Sequence, residues 1–192
     1  TVLQITGTNG KTTTKELISA VLSEGMNVLY TEGNLNNHIG VPLTLLRIRP
    51  EHDIAVIETG ANHPGEITLL SNIVQADFGL ITNVGRAHLE GFGSFEGVKQ
   101  TKGELYDDLY KRGKQIFLNT SDEDLVQMAI GRGFVLGKDA LPYIEGIVDA
   151  VTPFVEMKWR PANVQPWRTT TTNLVGSYNI ANLCAAVTIG LY

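Results

Sequence analysis

The sequence predicts an α/β fold of the phosphate-loop (P-loop) type: a mainly parallel sheet flanked by helices, with a small antiparallel sheet near the C-terminal part. Three observations predict it. Residues 2–5 form a short apolar, β-branched run that meets Gly7 and Gly10, and Lys11-Thr12 opens a segment with helical periodicity, so the order is strand, tight loop, helix N-terminus. Residues 54–57 and 78–82 are continuous apolar runs, as expected of parallel strands covered on both faces. Residues 148–174 alternate weakly and are broken by Pro153, Pro161 and Pro166, a pattern of antiparallel hairpins.

The stretch Gly7-Thr8-Asn9-Gly10-Lys11-Thr12-Thr13 carries the clearest chemistry. Such a loop aims backbone N–H groups and the positive end of a helix dipole at one point, adds a lysine and presents a hydroxyl to a metal ion; phosphate is what that point binds. The general pattern wants a glycine five residues before the Gly-Lys pair, where this chain has Ile5. The loop is therefore a shortened variant whose first glycine is Gly7. A turn that held glycine and lysine by coincidence would not need the strand and helix on either side.

With 192 residues and 43% hydrophobic content the chain suits one large domain with its own core, or one domain and a small appendage. A net charge of −5 without a long run of lysine and arginine argues against a nucleic-acid or anionic-membrane surface. No apolar run approaches the roughly 18 residues of a membrane span. The single cysteine, Cys184, leaves no internal disulfide, fits a reducing, cytoplasmic setting and lies in an apolar run that reads as core. The chain begins in a strand and stops while its last helical pattern is running, so both ends are expected to continue in a longer protein.

In chain order, Leu17, Ile18, Val21 and Leu22 have helical spacing up to a stop at Gly25, and residues 27–30 read as a second strand. Residues 31–40 are polar and rich in glycine and asparagine, and a short helix is expected over 41–47. The asparagines there suit a polar ligand or, equally, a turn. The strand at 54–57 ends in Glu58, and a carboxylate at that end of a buried parallel strand faces the ligand crevice, the usual place for a metal-binding acid. Residues 65–74 read as helix. The strand at 78–82 runs into a loop that sets His88 just beyond a strand end, where a histidine has either a structural or a metal or phosphate role. His38 and His63 also follow glycine- or asparagine-rich loops, whereas His52 sits in a charged, solvated stretch.

Over 94–110, Phe95, Val98, Lys102, Leu105 and Leu109 recur at steps of three and four, which puts Lys102 on the inward face. An inward lysine either snorkels, with its ammonium reaching water or an acid, or is kept neutral by burial and available for chemistry. A strand over 115–119 and a short helix over 122–130 follow. Residues 131–147 announce nothing specific, and Trp159 and Trp167 read as packing for the hairpin sheet. A last helix starts near Ser177, with Asn179 and Asn182 one turn apart, placed to cap it or to read a purine edge.

Thr6-Gly7-Thr8-Asn9-Gly10-Lys11-Thr12 resembles the ATP loop of the Mur ligase family, the ATP-dependent enzymes that add amino acids to the peptidoglycan precursor. Residues 33–44, 60–67 and 87–94 are similar to the branch of the family that joins D-alanyl-D-alanine to the UDP-N-acetylmuramoyl tripeptide. The likeness is strong to about Asn119, thins over the hairpins and returns at 176–186. It implies that residues 1–192 are the central ATP-binding domain, with the amino-terminal UDP-sugar domain and the carboxy-terminal Rossmann-like domain absent, and that the protein works as a monomer on small molecules.

The implied reaction is ligation through an acyl phosphate. By similarity Gly7 to Thr13 hold ATP, Lys11 contacts its β- and γ-phosphates, and Thr12 with Glu58 holds a first Mg²⁺. His88 and Lys102 belong to a second Mg²⁺ site, where Lys102 can be carbamoylated into an oxygen ligand. Asn179 and Asn182 match adenine-side asparagines, and Asn36, Asn37 and Thr44 lie in a loop near the peptide substrate. Another Mur ligase or a folylpolyglutamate synthase would share the ATP loop but lack the 34–44 and 62–67 segments. A nucleotide-binding module that ligates nothing would not need Glu58, His88 and Lys102 together.

Overall fold

The computed structural model describes residues 1–85 and 92–192. Apolar runs become the strands of one six-stranded sheet: β1 (Val2–Thr6), β2 (Val28–Tyr30), β3 (Ile54–Glu58), β4 (Phe78–Ile81), β5 (Gln115–Leu118) and β6 (Ala140–Pro142). They lie in the order β2-β3-β1-β4-β5-β6 and every pairing is parallel. Parallel neighbours need crossovers, and the amphipathic segments supply them: α1 (Lys11–Leu22), α2 (Gly40–Leu45), α3 (Glu66–Val74), α4 (Phe95–Lys111) and α5 (Glu123–Ile130). A 3₁₀ turn at Ser177–Asn179 leads into α6 (Ile180–Leu191).

Both faces of the sheet are covered, which explains why its strands are apolar without alternation. Ala55, Ile57, Ile81, Ile116 and Leu118 point into one core with residues of α3, α4 and α5, such as Ile67, Leu70, Leu105, Leu109 and Leu125. Leu3, Ile5, Val56, Leu80 and Phe117 point into the other with Ile18 of α1 and Leu183, Cys184 and Ile189 of α6. Cys184 is thus core, as expected.

The hairpin region is a separate antiparallel sheet of β7 (Glu145–Val151), β8 (Val155–Arg160) and β9 (Arg168–Thr171), starting slightly earlier than expected. On β8, Val155, Met157 and Trp159 are buried in the second core while the residues between them are not. Trp159 Nε1 donates to Thr170 Oγ1 at 2.9 Å, and Arg168 lies over its ring. Trp159 and Trp167 do serve this sheet, with Arg160 over the Trp167 ring. The edge strand β6, only three residues long, had no pattern of its own to announce it; it forms because Phe117 of β5 already offers a paired edge at Leu141.

The strand order reverses at β1: the chain moves from β1 toward β2 and β3 on one side, then crosses to β4 on the other. Ligands bind outside the carboxyl ends of the strands at such a switch point. Gly7, the first residue after β1, has φ 145° and lies so close to β4 that an added Cβ would land on the Thr82 hydroxyl. Thr82 Oγ1 instead donates to Asn9 O at 2.6 Å, and Asn83 exchanges two further hydrogen bonds with Asn9. Gly7→Ala is therefore expected to destabilise the chain by roughly 2–4 kcal/mol through strain and overpacking, read as a lowered denaturation midpoint at unchanged slope.

Candidate active site

The loop after β1 ends in Gly10 at φ 77°, and no side chain caps the N-terminus of α1. The first-turn amides and the dipole of that helix are thus aimed at the switch point, the arrangement that attracts an anion. Lys11 curls back over the loop, its Nζ donating to Gly7 O at 2.9 Å and Thr8 O at 3.0 Å. Burial lowers its pKa, and the nearby Glu58 carboxylate works in the opposite direction. Thr8 Oγ1 accepts from Gly85 N at 2.9 Å, which ties the loop to the segment after β4.

At the end of β3, Glu58 is 1% exposed. Its Oε1 accepts from Thr12 Oγ1 at 3.3 Å and from Asn36 Nδ2 at 2.8 Å. Its Oε2 is buried without a hydrogen-bond partner among the described residues. A buried carboxylate oxygen that accepts no hydrogen bond from the described residues, beside a threonine hydroxyl, is a donor set a hard divalent cation takes, so Thr12 and Glu58 fit Mg²⁺. Among the described residues no cluster of three or more His, Cys, Asp or Glu forms a metal cage, so such an ion would keep ligands from water or a phosphate.

The phosphate loop opens on a cavity of about 410 Å³ lined by Gly7, Thr8, Lys11, Asn36, Asn37 and Lys102, among others. Asn37 Oδ1 accepts from Ile39 N and Gly40 N and so starts α2. The cavity also reaches His38 and Glu66, whose Oε2 accepts from Asn62 N and His63 N.

Lys102 enters from α4, on the face that also buries Val98, Leu105 and Leu109. It is 3% exposed, its Nζ donates to Ala61 O at 3.3 Å, and it lies over the Phe92 ring. Burial above all, with the Lys11 charge next, pushes its pKa down to about 8. Snorkelling to water is thereby set aside: the ammonium ends at the cavity wall, and no ion pair to it is seen among the described residues.

Other expected site residues lie elsewhere. Thr44 is buried, its hydroxyl donating to Gly40 O inside α2. Asn179 and Asn182 form a chain at the junction of α1 and α6: Thr14 Oγ1 donates to Asn182 Oδ1, Asn182 Nδ2 to Asn179 Oδ1, and Asn179 Nδ2 to Val175 O. Asn182 also abuts Gly10, so the junction supports the phosphate loop from below. His52 accepts from Arg49 N in a turn. His88 lies outside the described residues. Sequence reasoning missed Lys15, fully buried one turn beyond Lys11, and Asn36 as a partner of Glu58. A polar residue amid Thr14, Ile18 and Leu22 on the inward face of α1 was the available signal for Lys15.

A uniformly parallel sheet with a glycine-lysine loop at its switch point and a buried acid at the end of the neighbouring strand is the arrangement of nucleotide-dependent α/β proteins. Residues 5–190 match the Mur ligase middle domain, and the chain belongs to the Mur ligase family. Over 123 residues it is 50% identical to the UDP-N-acetylmuramoyl-tripeptide–D-alanyl-D-alanine ligase of Escherichia coli (strain K12), using 64% of this chain and 27% of that protein. MurF from Acinetobacter baumannii superposes with a TM-score of 0.86 at 32% identity, over 99% of this chain and 42% of that one. MurF from Thermotoga maritima, solved with ADP, superposes with a TM-score of 0.81 at 26% identity, over 97% of this chain and 44% of that one. The chain thus spans less than half the length of these relatives. Their names favour the D-alanyl-D-alanine branch over the other family readings.

The Lys102 environment yields a pH prediction. Its folded pKa of about 8 lies below the ordinary 10.5, so protonation favours the unfolded chain. The penalty is complete below about pH 8, where both states are charged, and disappears as pH rises toward 10.5. Lys102→Met is expected to raise stability near pH 7 by roughly 2–3 kcal/mol, a gain that shrinks above pH 8, as measured by denaturant titrations of both proteins across that range.

Proposed function

We propose that this chain is the central ATP-binding domain of a longer enzyme that joins D-alanyl-D-alanine to the UDP-N-acetylmuramoyl tripeptide. The observation that carries the reading is the cavity that joins the phosphate loop at Gly7, Thr8 and Lys11 to Lys102, with Asn36, the hydrogen-bond partner of Glu58, in its wall. No helix among the described residues is long and apolar enough to cross a membrane, and a monomer in the cytoplasm is the setting this reading implies.

In this reading the terminal carboxylate of the tripeptide attacks the γ-phosphorus of ATP, the bond to the β-phosphate oxygen breaks, and ADP leaves an acyl phosphate. The amine of D-alanyl-D-alanine then attacks the acyl carbon, loses a proton and expels phosphate, forming the amide. The chain's contribution is positioning and charge stabilisation. The α1 amides and residues Gly7 to Thr13 cradle the phosphates, and Lys11 neutralises charge on the β- and γ-oxygens. Thr12 and Glu58 would hold a first Mg²⁺, and His88 and Lys102 a second. When bound, these ions supply Lewis-acid screening of the transferring phosphoryl group. Asn36 orients Glu58, Asn37 shapes the substrate end of the cavity, and Asn179 and Asn182 stand on the adenine side. Thr44, enclosed in α2, contributes through that helix rather than by contact.

Lys102 has a specific part. Near pH 8 a substantial neutral fraction of the amine exists, and attack on dissolved CO₂ with loss of a proton yields a carbamate, which turns a cation into an oxygen ligand.

In the full-length enzyme, Lys102→Ala is expected to lower turnover far more than stability, with partial recovery on adding a small carboxylate. Lys102→Arg is expected to fail as well, since guanidinium forms no carbamate; near-normal turnover in that variant would eliminate the mechanism. The decisive assay of the reaction couples phosphate release by the full-length enzyme to the acceptor offered. D-alanyl-D-alanine should support it and single amino acids should not. The 192-residue chain by itself is expected to bind ATP weakly and to release no substrate-dependent phosphate, because the other walls of the site are missing.

A further inference from the structure

Lys15 is the most completely enclosed charged side chain among the described residues, with no exposed surface. Lysine is almost never fully buried unless paired. Its Nζ donates to Thr31 O at 2.6 Å and Gly33 O at 3.3 Å, contacts Glu16 Oε1 at 2.9 Å, and stands 4.0 Å from Glu58 Oε2. It rises from α1 one turn beyond Lys11 and Thr12, so the helix that carries the phosphate-loop lysine also carries this brace.

What Lys15 braces is the segment that delivers Asn36. Thr31 N donates to Val56 O, and Thr31 Oγ1 accepts from Glu58 N, so β2 leaves the sheet beside the catalytic acid. Lys15 then fastens the next carbonyls, and Gly60 N fastens Asn36 O at 2.7 Å. Hung between these points, Asn36 reaches Glu58 Oε1 at 2.8 Å and leaves Oε2 free of hydrogen bonds. We propose that Lys15 is a positioning residue: its buried ammonium ties α1 to the 31–33 backbone and thereby sets where Asn36 holds the Glu58 carboxylate, coupling the nucleotide end of the cavity to its substrate end.

Charge alone makes the opposite prediction. A cation 4.0 Å from a metal-binding carboxylate repels a second cation, so its removal would tighten metal binding if charge were its only effect. A positioning role makes its removal weaken metal binding, and makes that loss overlap with the loss caused by removing Asn36.

The inference rests on the nucleotide-site reading above, and the test separates the two. In the full-length protein, affinity for ADP is measured by calorimetry with excess Mg²⁺ and again with chelator, for the parent, Lys15→Met, Asn36→Ala and the double variant. Each single change should weaken Mg²⁺-dependent ADP binding about tenfold and metal-free ADP binding less than about twofold, and the double variant should be no weaker than the weaker single one. Tighter binding in Lys15→Met, losses that multiply in the double variant, or equal losses with and without Mg²⁺ would overturn the proposal. Failure of both Lys15→Met and the hydrogen-bonding Lys15→Gln to fold would overturn it too, by marking Lys15 as a requirement of the fold. A parent that binds no ADP under either condition would remove the nucleotide reading and this proposal with it.

Discussion

The buried carboxylate of Glu58 is the constraint around which the site is arranged. A charge at 1% exposure is costly unless neighbouring groups receive it, and its neighbours come from α1 and from the loop after β2. Thr12 brings the start of α1, Asn36 brings the loop after β2, and Thr31 takes the backbone N–H of Glu58 itself. Two separate crossovers, the one through α1 and the one after β2, must therefore converge at the end of one strand before this charge is tolerable. One carboxylate oxygen still accepts no hydrogen bond among the described residues and has the Lys15 ammonium 4.0 Å away.

The parallel sheet makes that convergence possible. Because every pairing is parallel, all loops that leave the carboxyl ends of the strands emerge on one side. Because the order reverses at β1, the loops after β1 and β4 interlock, through Thr82 and Asn83 on Asn9 and through Gly85 on Thr8. The phosphate loop is held in shape by its neighbours rather than by its own short sequence. Gly7 belongs to this interlock as much as to phosphate binding, since a side chain there would displace Thr82.

Across the cavity, charge is arranged by burial. Burial disfavours the protonated form of both Lys11 and Lys102, and the Lys11 charge adds to the effect on Lys102, so two cations face the region where an anion fits. Burial is the larger cause for Lys102, whose described contacts are the Ala61 carbonyl and the Phe92 ring. An anionic ligand would offset this balance by giving both ammonium groups a counter-charge.

Much of this was legible in the residues themselves. Continuous apolar runs identified β1, β3, β4 and β5, because strands covered on both faces need no alternation, and the inward step of Lys102 followed from the three-four periodicity of α4. The loop from Gly7 to Thr13 and the acid at Glu58 were found because their local patterns carry their chemistry. What a linear pattern does not contain is which loop meets which. That Asn36 rests on Glu58, that Asn182 turns to Thr14 and Asn179 beneath Gly10, and that Lys15 closes on the carbonyls of Thr31 and Gly33 are contacts between residues distant in sequence, or brought together by a loop with no periodicity. The edge strand β6 belongs with them, since three residues carry too little pattern and pair only because β5 is already in place. Local propensity and periodicity determined the elements and the phosphate loop; the order of the strands, settled by burial on both faces of the sheet, decided which side chains share the site.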